Sequence, residues 1–91
     1  MRFNSQAPSV QKERRLDRMA QAMGVRSGSD IPEAIRDMNA RLGLPSGLAA
    51  VGVDRAQFDK IIDGAMADHC HKTNPREASR EDYVRMLEES L

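Results

Sequence analysis

Asp54-Arg55-Ala56-Gln57-Phe58-Asp59-Lys60-Ile61-Ile62-Asp63-Gly64-Ala65-Met66-Ala67-Asp68 is the most strongly amphipathic stretch of the chain. Phe58, Ile61, Ile62 and Ala65 fall at i, i+3, i+4 and i+7, the spacing of one helix face, with charged residues between them. Asp54 with Gln57 three residues on makes a capping pair at the start. The helix is expected to run to about Asp68.

The same 3.6-residue period recurs on both sides. Leu16, Met19, Ala20 and Met23 form a face after Pro8-Ser9, and Gly24 is placed to cap that helix. Val25 to Ser29 reads as a Gly/Ser loop. Ser29 or Asp30 can cap the next helix, with Pro32 tolerated in its first turn. Ile31, Ile35, Met38 and Leu42 are expected on its buried side, Gly43 ends it, and Pro45 forbids continuation. From Leu44 to Val53 the chain reads as a compact connector that holds Leu44, Leu48 and Val51 inward. Ser79 with Asp82 is a second capping signal, followed by Tyr83, Met86, Leu87 and Ser90 or Leu91. The expectation is an all-α chain of four or five helices, without strands, repeats or low-complexity tracts.

Composition agrees with helices. The 91 residues include three aromatics and no Trp, so the core is left to Leu, Ile, Val, Ala and Met, a mixture that suits packed helices better than sheets. Such a short chain buries only a modest core. Fourteen basic residues balance fourteen acidic ones, which removes the net field that draws a chain to nucleic acid or an anionic membrane. Arg14, Arg15 and Arg18 are the best local basic cluster, but Glu13 and Asp17 sit among them, so they read as a solvated face. A single Cys makes no internal disulfide, Met1 to Val10 has no signal-like apolar run, and no segment has the length needed to span a bilayer. The expected home is the cytoplasm.

One polar segment stands apart, Asp68 to Ala78, which is long for a helix-to-helix turn. His69, Cys70 and His71 are three potential metal ligands in succession. A structural zinc site takes four ligands, usually as two separated pairs, and no second pair exists, so the spacing argues against an intrinsic metal site. Consecutive residues are also expected to diverge. Cys70 as a nucleophile activated by its flanking imidazoles is a second option, set against a plain small Cys between solvated histidines. In Asn74-Pro75-Arg76, Pro75 holds Asn74 out of the helical region, and Arg76 offers five donors for tying the loop down. On residues alone this is a structural clamp.

The motifs also form an ordered series. Met1-Arg2-Phe3-Asn4, Ala22-Met23-Gly24, Ile35-Arg36-Asp37-Met38-Asn39, Leu42-Gly43-Leu44-Pro45 with Leu48, Gly52-Val53, and Cys70 with Asn74-Pro75-Arg76-Glu77-Ala78 resemble the C-terminal helical part of the iron-containing alcohol dehydrogenases. The resemblance covers essentially residues 1 to 91. It implies a parent enzyme with an N-terminal dinucleotide-binding α/β domain, NAD or NADP as cofactor, and a divalent metal, iron or zinc, held by one Asp and three His upstream of the segment matching Met1 to Asn4. Neither those ligands nor a Gly-rich pyrophosphate turn is found here. Gly24-Val25-Arg26-Ser27-Gly28 has the wrong spacing and follows a helix. The chain alone is therefore expected to bind no cofactor and to be inactive.

The resemblance further places the loop before Asn74-Pro75-Arg76 at the substrate cleft, so Cys70, with His69 and His71, is expected to line it as wall and not as catalyst. Asn74, Pro75 and Arg76 are its expected anchor. With the family's ligand-bearing helix expected before Met1-Arg2-Phe3-Asn4, the resemblance leads to the expectation of a truncated gene product, a split subunit or a deliberately expressed piece. The expected partner is the upstream catalytic part of a dehydrogenase, or a second copy through the apolar helix faces, with a stand-alone interaction module as the alternative.

Overall fold

A computed structural model describes residues 1–91 and contains only helices, turns and loops. Six α-helices occur in the order α1 (Pro8–Lys12), α2 (Arg15–Met23), α3 (Ile31–Arg41), α4 (Phe58–Ala67), α5 (His69–Thr73) and α6 (Arg80–Ser90). Four of these have nine residues or more, while α1 and α5 have five each. The all-α expectation holds, with two short helices beyond the long ones that periodicity reveals. No helix is long and apolar enough to cross a membrane. The chain divides into two compact units, Met1–Leu44 and Pro45–Leu91.

In the first unit, one helical pattern is broken in two. Arg14 takes a left-handed conformation, φ 49°, between α1 and α2. No Gly or Pro marks the place, so nothing local in the sequence announces it. The break separates two buried anchors, Val10 and Ala20. Exposed ion pairs bracket it, Arg15 with Glu13 at 2.8 Å and Arg14 with Asp17 at 3.0 Å. Gly24 ends α2 with φ 68°, as its position implied. Gly28 then packs so closely on α2 that a Cβ there would lie 2.7 Å from the Leu16 Cβ. Its N–H donates to the Asp17 carboxylate at 3.3 Å. Asp30 precedes α3 without a side-chain cap and instead accepts from the Ser27 hydroxyl at 2.9 Å. Gly43, φ 70°, follows α3, and the Leu44 N–H returns to the Asn39 carbonyl at 3.0 Å.

In the second unit, 3-10 turns over Leu48–Val51 and Arg55–Gln57 lead into α4. The expected Asp54/Gln57 capping box is present, and so is the Ser79/Asp82 box that starts α6. Helix α6 lies against α4, where the Arg80 guanidinium spans Asp59 and Asp63 at 2.7 and 2.6 Å. Arg55 makes a two-pronged pair with Glu88 at 2.8 and 2.7 Å. These pairs are exposed and contribute little net stability, but they fix the register of α6.

The core is small: Ala7, Val10, Ala20 and Ile31 in the first unit, Phe58, Ile62 and Ala78 in the second. Several side chains expected inside are outside. Met38 is 41% exposed, Leu42 65%, Leu44 51% and Val51 59%. Met19, Met23 and Ile61 also keep much of their surface in solvent. Periodicity identifies an apolar face but not whether another layer covers it, and this chain is too short to cover every face it builds.

Candidate functional site

The polar segment after α4 is not a simple loop. Asp68 is extended, φ −71° and ψ 141°, and serves two helices at once. Its backbone N–H closes α4 on the Gly64 and Ala65 carbonyls, and its carboxylate accepts the Cys70 N–H at 2.7 Å to start α5. Thr73 Oγ1 donates to the Cys70 carbonyl at 3.2 Å within this one-turn helix. Five residues carry no readable apolar period, so α5 is invisible to pattern analysis.

The cap brings Asp68 into a cluster with two of the ligand-type residues, His69 and Cys70. By folding back over the first turn, the Asp68 side chain comes beside His69 and Cys70. Asp68 Oδ1 lies 3.6 Å from His69 Nδ1, and Cys70 Sγ lies 3.4 Å from His69 Nε2. One donor atom from each of the three residues lies within 4.8 Å of the others. Asp68, His69 and Cys70 converge without a positive φ at any of them, whereas His71 turns away from the other two ligand types to Tyr83. All three are exposed.

The thiol is not activated by this arrangement. Hydrogen bonding to Asp68, reinforced by that carboxylate's charge, pushes the Cys70 thiol above its ordinary value. A nearby anion opposes a second anion, so thiolate is disfavoured. This geometry supports the plain reading of Cys70 over the nucleophilic one.

His71 takes a separate path. Its Nδ1 lies 3.0 Å from the Tyr83 hydroxyl, and the two rings stand 5.8 Å apart at 38°. This half-buried pair ties α5 to α6. Tyr83 was legible only as part of the α6 face, and its hydrogen-bonding role was not.

The Asn74-Pro75-Arg76 element is extended at Asn74, φ −64° and ψ 138°, as a following proline demands. Asn74 Nδ2 donates to the Arg76 carbonyl, which closes the turn on itself. Pro75 is exposed, Arg76 is half-buried, and the chain then buries Ala78. The Asp82 carboxyl is held below its ordinary value first by the Ser79 N–H, with the Ser79 hydroxyl and the positive charges of Arg76 and Arg85 adding to it. Arg76 is thus electrostatically linked to the start of α6.

A dinucleotide cofactor finds no cradle in these residues. The chain has no strand to precede a pyrophosphate turn, and Gly24 and Gly28 are used as a helix cap and a close packing contact. An iron site of one Asp and three His does not fit either, since the chain has only two His and these face different partners.

Comparison with known proteins agrees with the motif series. The model of the Fe-containing alcohol dehydrogenase family, C-terminal, matches residues 1–91. The chain is 54% identical over its full length to 4-hydroxybutyrate dehydrogenase of Cupriavidus necator, of which it covers 24%. It is 31% identical over 90 residues, 96% of the chain and 23% of the relative, to alcohol dehydrogenase 4 of Saccharomyces cerevisiae. With the NAD-dependent methanol dehydrogenase of Bacillus methanolicus it shares 31% over 58 residues, 64% of the chain and 15% of that protein. No solved structure matches significantly. The chain thus spans about a quarter of the length of its full-coverage relatives. Continuous similarity from Met1 to Leu91, on an all-helical frame with the Asn-Pro-Arg turn intact, means that this chain belongs to the Fe-containing alcohol dehydrogenase family and corresponds to its C-terminal part.

Proposed function

We propose that this chain is the C-terminal helical part of an NAD(P)-dependent dehydrogenase that interconverts a short ω-hydroxy acid of the 4-hydroxybutyrate class and its aldehyde. The observation that carries this reading is the 54% identity to a 4-hydroxybutyrate dehydrogenase along the whole chain. Oxidation of a primary alcohol removes a hydride and a proton, and the groups that accept the hydride and polarise the oxygen belong to the preceding part of such an enzyme. What this chain contributes is shape. Helix α5, capped by Asp68 and pinned through His71 to Tyr83, presents Cys70 and His69 as part of the cleft wall, and Asn74, Pro75 and Arg76 set where that wall begins and ends.

The same reading gives the exposed apolar side chains a use. Met19, Met23, Met38 and Leu42 in the first unit, and Val51 in the second, are exposed side chains for the upstream catalytic part to cover. The test is complementation. The 91-residue chain, joined to or produced with the preceding three quarters of the Cupriavidus necator enzyme, is expected to restore 4-hydroxybutyrate-dependent NAD reduction, whereas the chain alone gives none. Turnover by the isolated chain, or a correctly assembled hybrid without turnover, overturns the proposal.

The exposed apolar faces also support a second reading, a stand-alone helical module that self-associates. Light scattering separates the two: a concentration-independent monomer that binds the upstream part favours the first, and a stable homo-oligomer that ignores it favours the second.

A further inference from the structure

We propose that Asp68, His69 and Cys70 form a binding site for a divalent cation of the zinc type. It uses only residues of this chain and does not depend on the dehydrogenase reading.

The argument starts from the donor spacing. With Zn–S near 2.3 Å and Zn–N or Zn–O near 2.0–2.1 Å, tetrahedral geometry puts neighbouring donors about 3.4 to 3.6 Å apart. Cys70 Sγ and His69 Nε2 are 3.4 Å apart, and His69 Nδ1 and Asp68 Oδ1 are 3.6 Å apart. These two contacts use opposite nitrogens of one imidazole, and a single ion takes only one of them. The adjustment is small, because the three donors already lie within 4.8 Å of one another and the His69 side chain, 89% exposed, is free to rotate.

The backbone needs no rearrangement. Asp68 is already in the extended conformation of a helix cap, and His69 and Cys70 occupy the first turn of α5. Asn74, Pro75 and the His71–Tyr83 contact hold the far end of that turn. Engagement of His71 by Tyr83 also leaves His69 as the imidazole of the site. Thiolate, imidazole and carboxylate together suit zinc and its neighbours over magnesium or calcium, which prefer all-oxygen sets. Binding converts the thiol to thiolate and releases its proton to solvent. Three protein ligands leave a fourth position to water, so the site is open and solvent-facing.

The test is a Co²⁺ titration of the reduced 91-residue chain, with Zn²⁺ as competitor. The expected result is one ion per chain, a thiolate-to-cobalt charge-transfer band, visible bands of tetrahedral cobalt, and loss of all of them when Zn²⁺ is added. Cys70→Ser is expected to abolish the charge-transfer band. Loss of a mere outer-shell partner costs about 10-fold to 100-fold in metal affinity, so His69→Ala is expected to weaken binding by more than about 10-fold. His71→Asn is expected to leave the band in place. NMR of the unaltered chain gives a check that needs no variant to fold: Zn²⁺ should move the ring signals of His69 more than those of His71. Absence of a charge-transfer band at millimolar Co²⁺ overturns the proposal. So does a band that survives His69→Ala but not His71→Asn, or a Zn²⁺ response centred on His71.

Discussion

The Tyr83 hydroxyl and His71 Nδ1 stand 3.0 Å apart, the side-chain contact through which the one-turn helix α5 is tied to α6. Both groups are half-buried. A hydrogen bond of this kind contributes about 0.5–1.5 kcal/mol net. Tyr83→Phe is expected to lower stability by that amount in urea titration and to broaden the amide NMR signals of residues 69 to 73, while α4 keeps its own.

Ile62 is fully buried and Ile61, next to it, is 37% exposed. Ile62→Ala is expected to cost about 2–5 kcal/mol, the loss for a large-to-small change in a core. In so small a core, that is enough to unfold the second unit. Ile61→Ala should leave the isolated chain folded, and circular dichroism on heating distinguishes the two.

Two glycines should respond in opposite directions. A Cβ at Gly64, inside α4, meets nothing within 4 Å, so Gly64→Ala gains the ordinary helix preference of about 0.5–1 kcal/mol. A Cβ at Gly47 would lie 2.8 Å from the Leu91 carbonyl oxygen and 3.0 Å from that of Ser90, so the end of α6 would have to shift. Gly47→Ala is expected to lower the melting temperature, and Gly64→Ala to raise it.

How much of this was readable beforehand follows the range over which each feature acts. The Asp54/Gln57 and Ser79/Asp82 boxes and the Gly24 cap are set by residues two to four apart, and the sequence displays them. The long helices α2, α3, α4 and α6 likewise announce themselves by period. The left-handed turn at Arg14 lies between the buried Val10 and Ala20, and no breaker residue marks it. The apolar face of α3 includes Met38 and Leu42, but a face says nothing of its cover, and both are exposed. At the candidate site, the residue types were plain, but their convergence depends on the Asp68 carboxylate folding back onto a helix too short to show a pattern.

Acid should weaken the second unit. The Glu88 carboxyl is held below its ordinary 4.5 by the hydrogen bond and charge of Arg55, and Asp82 is held below 3.8 chiefly by the Ser79 N–H. A carboxyl whose folded value is depressed binds more protons when unfolded in that window, so its stabilisation is present above the unfolded value and is lost as pH falls through the folded one. Urea midpoints should therefore drop as pH falls from about 6 to about 3, and Glu88→Gln should flatten part of that slope.

Cys70 is exposed, yet its thiol is pushed up by Asp68. Because the thiolate is the reacting form, iodoacetamide should modify it more slowly than a free thiol at the same pH. Asp68→Asn keeps a competent cap but removes the charge, and is expected to raise the alkylation rate several-fold. An unchanged rate would show that the carboxylate does not control the thiol.

The three side-chain caps of the second unit, Asp54, Asp68 and Ser79, each act on a backbone N–H two or three residues ahead. Each helix start is therefore specified as soon as its first turn exists, without waiting for a distant partner. What remains is the closing of α6 onto α4 through Arg80, across 17 and 21 residues. Loops of that length close quickly, and folds dominated by local contacts are the fast ones. A chain emerging from the ribosome in order can set α4 and α5 before α6 has been made, and the last helix then has a prepared surface on which to land.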